Sequence, residues 1–313
     1  MRIAVYGNFQ VTYTSEAHHA ASLEQLGHTV IRLQEPTTTA EQLANEGAHG
    51  DMFVWVHTHG WNTPGMKIAL RTIKAAGVPV VAYHLDLYLG LRRWTTYESD
   101  PYMRDIDHFF TVDRLMADWL NENTAVRGHY LPAAVFGPES YLAESGSSPH
   151  GNDVIFVGSR GYHPEWPYRP RLIDWLRDTY GPRFTHVGGD GHTGTIRGDD
   201  LNRLYASSKI AVGDTLCLNF DYPDYWSDRV YETLGRGGAL IHPHVKGMER
   251  YFTDMSHLMF YEYGNFAELK ELIDFALEDG GAREDIRLAG HEHVKAHHTY
   301  AHRWAEILET VRG

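Results

Sequence analysis

The chain carries a single cysteine, Cys217, in 313 residues. One thiol excludes an internal disulfide and any thiolate-rich metal site. Long apolar runs are also missing. No stretch is long enough to span a membrane, and the opening Met-Arg-Ile-Ala-Val-Tyr-Gly reads as a strand ending in glycine rather than a secretion signal. A cytoplasmic location is the expectation. Basic residues are in short supply, with 28 Lys plus Arg against 41 Asp plus Glu and a formal charge of -13. A field of that sign repels polyanions at long range, so nucleic acid is a disfavoured partner, although a local basic groove stays open as an alternative. Low-complexity segments and short-period repeats are absent as well.

What is present is the balance of a folded protein: 42% hydrophobic and 22% charged residues, with every aromatic type in use. The length suits two domains of roughly 150 residues each. Short apolar runs alternate with amphipathic stretches. The spacing predicts strands over 3–6, 28–33, 52–56, 78–83 and 109–112, with helices over 15–26, 66–76 and 114–121, and Gly27 and Gly77 stand where a helix stops before a strand. Such strands are buried on both faces, which implies a parallel sheet covered by helices. The polar stretch Glu-Ser-Gly-Ser-Ser-Pro-His-Gly-Asn over 144–152 interrupts the alternation and reads as a linker. Beyond it strands are predicted over 154–157, 184–187, 209–212 and 239–241, and helices over 171–180, 200–206 and 227–234. The tail over 282–311 is helical in pattern. The reading is therefore α/β with two doubly wound Rossmann-like domains, 1–146 and 147–296, followed by a helix over 297–313.

In such sheets ligands bind outside the carboxyl ends of the strands. The most informative of those loops ends in Asp224-Tyr-Trp-Ser-Asp-Arg229-Val-Tyr-Glu232, running on to Gly237-Gly238. Arg229 and Glu232 are three apart on one helix face. A helix start suits a diphosphate, Arg229 adds a charged fork, and Glu232 can take two ribose hydroxyls, with Asp224 reaching the sugar side. An i,i+3 surface ion pair is the plainer alternative. In the first half, His57 and His59 end one strand and His84 and Asp86 the next, where an imidazole or carboxylate can orient or deprotonate an acceptor hydroxyl. Structural histidines bonded to backbone are the alternative. Asp86 ranks first, then His59. Trp61 and the aromatic stretch from Trp94 to Tyr102 can stack on a sugar ring or simply pack. There are 21 histidines, and His298 and His302, four apart, are expected to share a solvated helix face, since no further ligands complete a metal set beside them.

The stretch from Ser227 to Gly238, with Phe252, Glu268-Leu269, Arg287 to Gly290, His298-Thr299-Tyr300 and Arg303, resembles the donor domain of group 1 glycosyltransferases, in particular the spore-maturation-protein-like (CgeB-like) branch. Phe156-Val-Gly-Ser159, Ser208-Lys-Ile210 and Leu218-Asn219 add to the likeness, and Leu26-Gly27-His28, Asp107, Phe110-Thr111 and Tyr130-Leu131-Pro132 extend it more weakly into the first half. The resemblance implies a GT-B architecture: two facing Rossmann-like domains, acceptor site in the first, donor in the second, and a final helix crossing back. It implies transfer of a sugar from a nucleoside-diphosphate sugar, UDP-sugar favoured, with the retaining kind of reaction suggested by the acidic pair Asp224 and Glu232. This chain has Asp where such enzymes usually have Glu. Arg160 falls where the family supplies a cation to the donor phosphates, and Gly158, Ser159, Gly188, Gly189 and Gly238 line the implied donor site. No cofactor or metal is expected: no Asp-any-Asp triplet stands at a predicted strand exit, and Asp199-Asp200 suit a helix start. A nucleotide-sugar epimerase and a non-catalytic nucleotide-sugar-binding module are the competing readings. The acceptor is open, a small molecule, a glycan or, against the charge, a modified DNA base.

Overall fold

The computed structural model describes residues 1–35, 37–56, 63–87, 102–161, 167–215 and 222–313. It divides into two compact units, Met1–Ala133 with Tyr300–Gly313, and Ala134–Thr299.

The first unit contains β1 (Arg2–Gly7), α1 (Ser15–Gln25), β2 (Thr29–Gln34), α2 (Ala40–Ala48), β3 (Met52–Trp55), α3 (Met66–Ala75), β4 (Val80–His84), β5 (His108–Thr111), α4 (Arg114–Asn123) and β6 (Arg127–Tyr130). All strand pairings are parallel, in the order β2-β1-β3-β4-β5-β6. Strands β3, β4 and β5 are buried at every position, while the edge strands β2 and β6 are partly exposed. That is the difference expected between strands covered on both faces and strands at a margin. Tyr6, Phe53, Trp55, Leu70, Ile73 and Phe109 belong to its core. Gly27 and Gly77 adopt φ of 83° and 79° directly after α1 and α3, the left-handed helix stop that the sequence signals.

The second unit contains β7 (Val154–Val157), α5 (Tyr168–Tyr180), β8 (Phe184–Val187), α6 (Asp199–Ala206), β9 (Ile210–Val212), α7 (Arg229–Gly235), β10 (Leu240–Pro243), β11 (Met259–Tyr261), α8 (Phe266–Glu278) and α9 (Gly280–His297). Its sheet is also parallel, in the order β11-β10-β9-β7-β8. Strand order reverses at β7, so the crevice for a ligand opens beside the carboxyl ends of β7 and β9.

The helical tail is two helices rather than one. After α9 the chain breaks at His298 and Thr299, and α10 (Tyr300–Arg312) belongs to the first unit. There Trp304 is fully buried, its indole N–H donating to His19 Nδ1 at 3.1 Å. The Arg303 guanidinium donates to the carbonyls of Pro132 and Ala133 at 2.8 and 3.0 Å. The stretch 144–152 lies within the second unit, and the division falls upstream of it at Ala133 and Ala134. Among the described residues no helix is long and apolar enough to cross a membrane.

Candidate functional site

In the second unit the exits of β7 and β8 touch. A Cβ added to Gly188 would lie 2.5 Å from the Gly158 carbonyl oxygen and 3.2 Å from the Ser159 nitrogen, so only glycine permits the approach. The neighbouring Gly189 faces the Ser159 hydroxyl, and His186 Nε2 donates to the Gly158 carbonyl at 2.7 Å. Gly158, Ser159, Gly188 and Gly189 are thus brought together as expected. Arg160 follows them but is engaged: its guanidinium reaches Asp174 of α5 at 2.5 Å, and its N–H donates to Asp190 at 2.8 Å. Asp190 also accepts from the Gly161 N–H at 3.0 Å. Burial opposes the charge on Asp190, but these backbone N–H groups outweigh it and hold the carboxyl below its ordinary value.

The sequence does not reveal the strongest tie at this edge. Arg169, in the first turn of α5, forks onto Asp214 just beyond β9, at 2.8 and 3.0 Å, and donates to the Ser159 carbonyl at 3.1 Å. Both side chains are almost fully buried, 11% and 3% exposed. The planar guanidinium matches the carboxylate in a two-bond geometry that lysine cannot reproduce. One pair therefore fixes the β7 exit, the β9 exit and the start of α5 to one another.

Helix α7 starts at this same edge, because a helix following a parallel strand runs back along the sheet. Arg229 is its first residue, and its Nη1 lies 3.5 Å from a Glu232 carboxylate oxygen. That Nη1 is buried and has no hydrogen-bond partner among the described residues. Burial works against the Arg229 charge, but Glu232, Tyr205, Asp228 and Asp214 outweigh it and hold the guanidinium above the ordinary arginine value. Burial, and next the Glu232 charge, push the Asp228 carboxyl up. The pair is half-buried, 25% and 22% exposed, which is not the solvated surface pair of the plainer reading.

Three expectations need correction. The first N–H groups of α7 are not open to a diphosphate, since Ser227 takes both: its Oγ accepts from the Arg229 N–H at 3.2 Å and its carbonyl from the Val230 N–H at 3.1 Å. Gly238 stands after α7, at the amino end of β10 and so at the opposite edge of the sheet; its N–H donates to the Thr233 carbonyl at 2.8 Å, and a Cβ there would strike Thr233 and Tyr205. Its smallness serves packing. Finally, His298 and His302 do not share a helix face, because His298 lies in the break before α10, buried against Tyr231 and Phe252.

Asp224 has φ of 61°, donates its N–H to the Lys246 carbonyl at 2.8 Å, and pairs with Arg250. It is 6% exposed. A sugar hydroxyl reaching this carboxylate has Arg250 as a competitor.

In the first unit, His84 ends β4, buried, with its ring 5.9 Å from that of Phe109, and Asp86 follows two residues later, half-buried. His57, His59, Trp61 and Trp94 lie outside the described residues, as do Leu218 and Asn219. At the end of β2 stands a group the sequence reading passed over. Glu35 is 3% exposed, and among the described residues neither of its buried carboxyl oxygens has a hydrogen bond at ordinary distance. Burial, and then the charge of Glu16, push it up to about 7, with the Trp55 indole opposing only in part. Beside it the Tyr6 and Thr63 hydroxyls are hydrogen-bonded. Among the described residues no group of three or more His, Cys, Asp or Glu side chains is arranged to hold a metal ion.

Residues 168–309, somewhat less than half of the chain, match a family profile described as glycosyl transferase-like. No curated protein sequence matches. Among solved structures the chain is similar to an alpha-glucosyltransferase in complex with UDP-glucose and DNA containing an abasic site, at 13% identity and a TM-score of 0.73 over 100% of both chains. The same similarity holds for an alpha-glucosyltransferase in complex with UDP and DNA containing a HMU base, with a TM-score of 0.75 at 13% identity, covering 100% of this chain and 99% of that one. HepE from Anabaena, in complex with UDP and glucose, matches at 13% identity and a TM-score of 0.66, over 100% of this chain and 99% of its own. At such identities the likeness is one of fold, and the fold shared is the two-domain GT-B arrangement of Rossmann-like sheets that the sequence implies.

Proposed function

We propose that the protein is a glycosyltransferase that takes a sugar from a UDP-sugar and passes it to an acceptor, with the donor held by the second unit. The observation that carries this reading is the half-buried Arg229 and Glu232 pair at the start of α7, beside the glycine-lined exits of β7 and β8. The buried, unpartnered Arg229 Nη1 is a charged donor in want of an acceptor, and a diphosphate oxygen supplies one. Glu232 accepts the ribose hydroxyls. Ser159, Gly158, Gly188 and Gly189 let the chain approach the nucleotide closely, and Arg160 leaves its exposed ion pair to meet the phosphates, a pair of this kind being worth little.

As the bond from sugar to phosphate breaks, negative charge grows on the leaving diphosphate, and Arg229 and Arg160 stabilise it more than they stabilise the ground state. This requires no divalent ion. The first unit receives the acceptor near His84 and Asp86, which stand at the end of β4. The alpha-glucosyltransferase and HepE structures were obtained with UDP or UDP-glucose, which supports uridine and glucose as the first donor to try. A formal charge of -13 favours a sugar or small-molecule acceptor over DNA.

The decisive experiment combines calorimetry with UDP-glucose and mass spectrometry of the products. Glu232→Gln is expected to weaken UDP binding by roughly 1 to 3 kcal/mol, the cost of removing a charged acceptor, with the fold intact. Unchanged affinity removes Glu232 from the site. Turnover is expected to survive exhaustive chelation, and a rate abolished by chelator and restored by magnesium or manganese overturns the metal-free reading. An isomerised donor identifies an epimerase instead, and binding without turnover identifies a binding module.

A further inference from the structure

A second cavity, of 540 Å³, opens at the carboxyl ends of β10 and β11 in the second unit, and none of its lining residues belongs to the donor site. Its volume is that of a small-molecule site. Its walls are aromatic: Phe252, Phe260, Tyr261 and Tyr263. Phe252 and Tyr261 are buried, and Tyr261 is held in place through its hydroxyl, which is 2.7 Å from that of Tyr168. Tyr263 packs against Tyr168 with centroids 4.0 Å apart and the rings inclined by 33°. The walls are therefore fixed by the packing behind them.

Four carboxylates, Glu249, Asp254, Glu262 and Glu268, also line the cavity, against one lysine, Lys246, and one histidine, His244. Three of the four are aimed by the backbone. Glu249 accepts the Gly247 N–H at 2.8 Å and faces His244 Nε2 at 3.1 Å. Asp254 accepts from Met255 and Phe260 at 2.9 and 2.8 Å, and Glu268 accepts from Glu262 at 2.7 Å. Burial opposes the ionisation of Glu249, but its own N–H, the Gly247 N–H and His244 outweigh it and keep the carboxyl below its usual range. A carboxylate has about four acceptor positions, so each keeps capacity for a ligand. The His244 ring stands edge-on to Phe260, with centroids 5.2 Å apart, which joins the charged rim to the aromatic wall.

Aromatic faces attract cations through their quadrupole, and pre-aimed carboxylates complete the attraction where ordered water is displaced. An anion would meet four like charges here, and a neutral apolar group would strip their hydration without return. We propose that this cavity binds an organic ammonium ion, its charged head toward the carboxylate rim and its body against Phe260 and Tyr263.

The site is independent of the donor reading, and the test keeps the two apart. Benzylammonium and its neutral counterpart benzyl alcohol are titrated into the full chain at neutral pH, with and without saturating UDP. Benzylammonium is expected to bind saturably and benzyl alcohol at least about 10-fold more weakly, the scale of a partly desolvated cation–aromatic contact. Glu249→Gln with Glu262→Gln is expected to erase most of that difference, and added salt to reduce it, with thermal melting confirming that the variant is folded. Saturating UDP is expected to leave ammonium binding unchanged. Absence of saturable binding, equal binding of the neutral alcohol, insensitivity to the carboxylate changes or displacement by UDP each overturns the proposal. UDP affinity, read in the same titrations, judges the donor site separately.

Discussion

The two sheets share a parallel design and differ in how their carboxyl edges handle charge. In the second unit the charges at this edge stand beside opposite charges: Arg169 forked onto Asp214 and, at 3.5 Å without a hydrogen bond among the described residues, Arg229 near Glu232. In the first unit Glu35 is buried at the end of β2, where the Trp55 indole offsets only part of the cost of burial and another carboxylate, Glu16, is a neighbour. Pairing sets the shape of the second edge in advance, which suits the diphosphate of the proposed donor. The first edge instead stores an unfavourable group, which is the form that a site takes when part of its hydrogen bonding is left for something else to supply.

The sharpest way to break this contrast is to remove half of the buried pair. Arg169→Ala leaves Asp214 ionised and alone, and is expected to cost about 3 to 5 kcal/mol, read by chemical denaturation of the full chain. A loss below about 1 kcal/mol would mean that the pair behaves as a surface contact and that the second edge is not locked by it.

Glu35→Gln probes the other side with the opposite sign. In the unfolded chain this carboxyl ionises near 4.5 and in the folded protein at about 7. A raised carboxylate pKa costs nothing at low pH, where both states are protonated. The cost accumulates as pH rises from about 4.5 to about 7 and is constant above. The substitution is therefore expected to remove a pH-dependent penalty on the order of 3 kcal/mol. The measurement is the stability of both proteins from pH 4 to pH 8, and parallel curves across that range would show that Glu35 has found a partner.

Arg160→Ala gives the smallest effect on the fold. Its pair with Asp174 is exposed, 43% and 36%, so stability is expected to change by less than about 1 kcal/mol. Turnover is expected to fall while affinity for uridine holds, and equal loss of both would assign Arg160 to the loop rather than to the phosphates.

Strands buried on both faces were legible because continuous apolar runs such as Met52 to Trp55 and Val154 to Val157 have no other economical use. Most elements passed over lack such a run; β11, Met-Phe-Tyr, has one but is only three residues long. Strand β6 reads Arg-Gly-His-Tyr, and α2 mixes Glu, Gln and Asn with a glycine. Of the proposed donor site, residues close in sequence were legible, as with Arg229 and Glu232. The Arg169 and Asp214 pair was not, because its members stand 45 positions apart and only the sheet unites them. Glu35 looks like any polar residue at a strand end, and nothing local says that its carboxyl is buried. His298 failed for a related reason: spacing of four suggests one helix, but the helix breaks there.

The helix α10 is the last piece of the described chain and yet a wall of the first unit, where Trp304 and Arg303 seal His19 and the carbonyls of Pro132 and Ala133. During synthesis the earlier part of that unit therefore emerges long before the segment that closes it. It must wait, with the His19 and Tyr83 region uncovered, while the entire second unit is made. The second unit ends at Thr299 and takes no segment from α10, so its residues are all in place before the first unit's last helix is made.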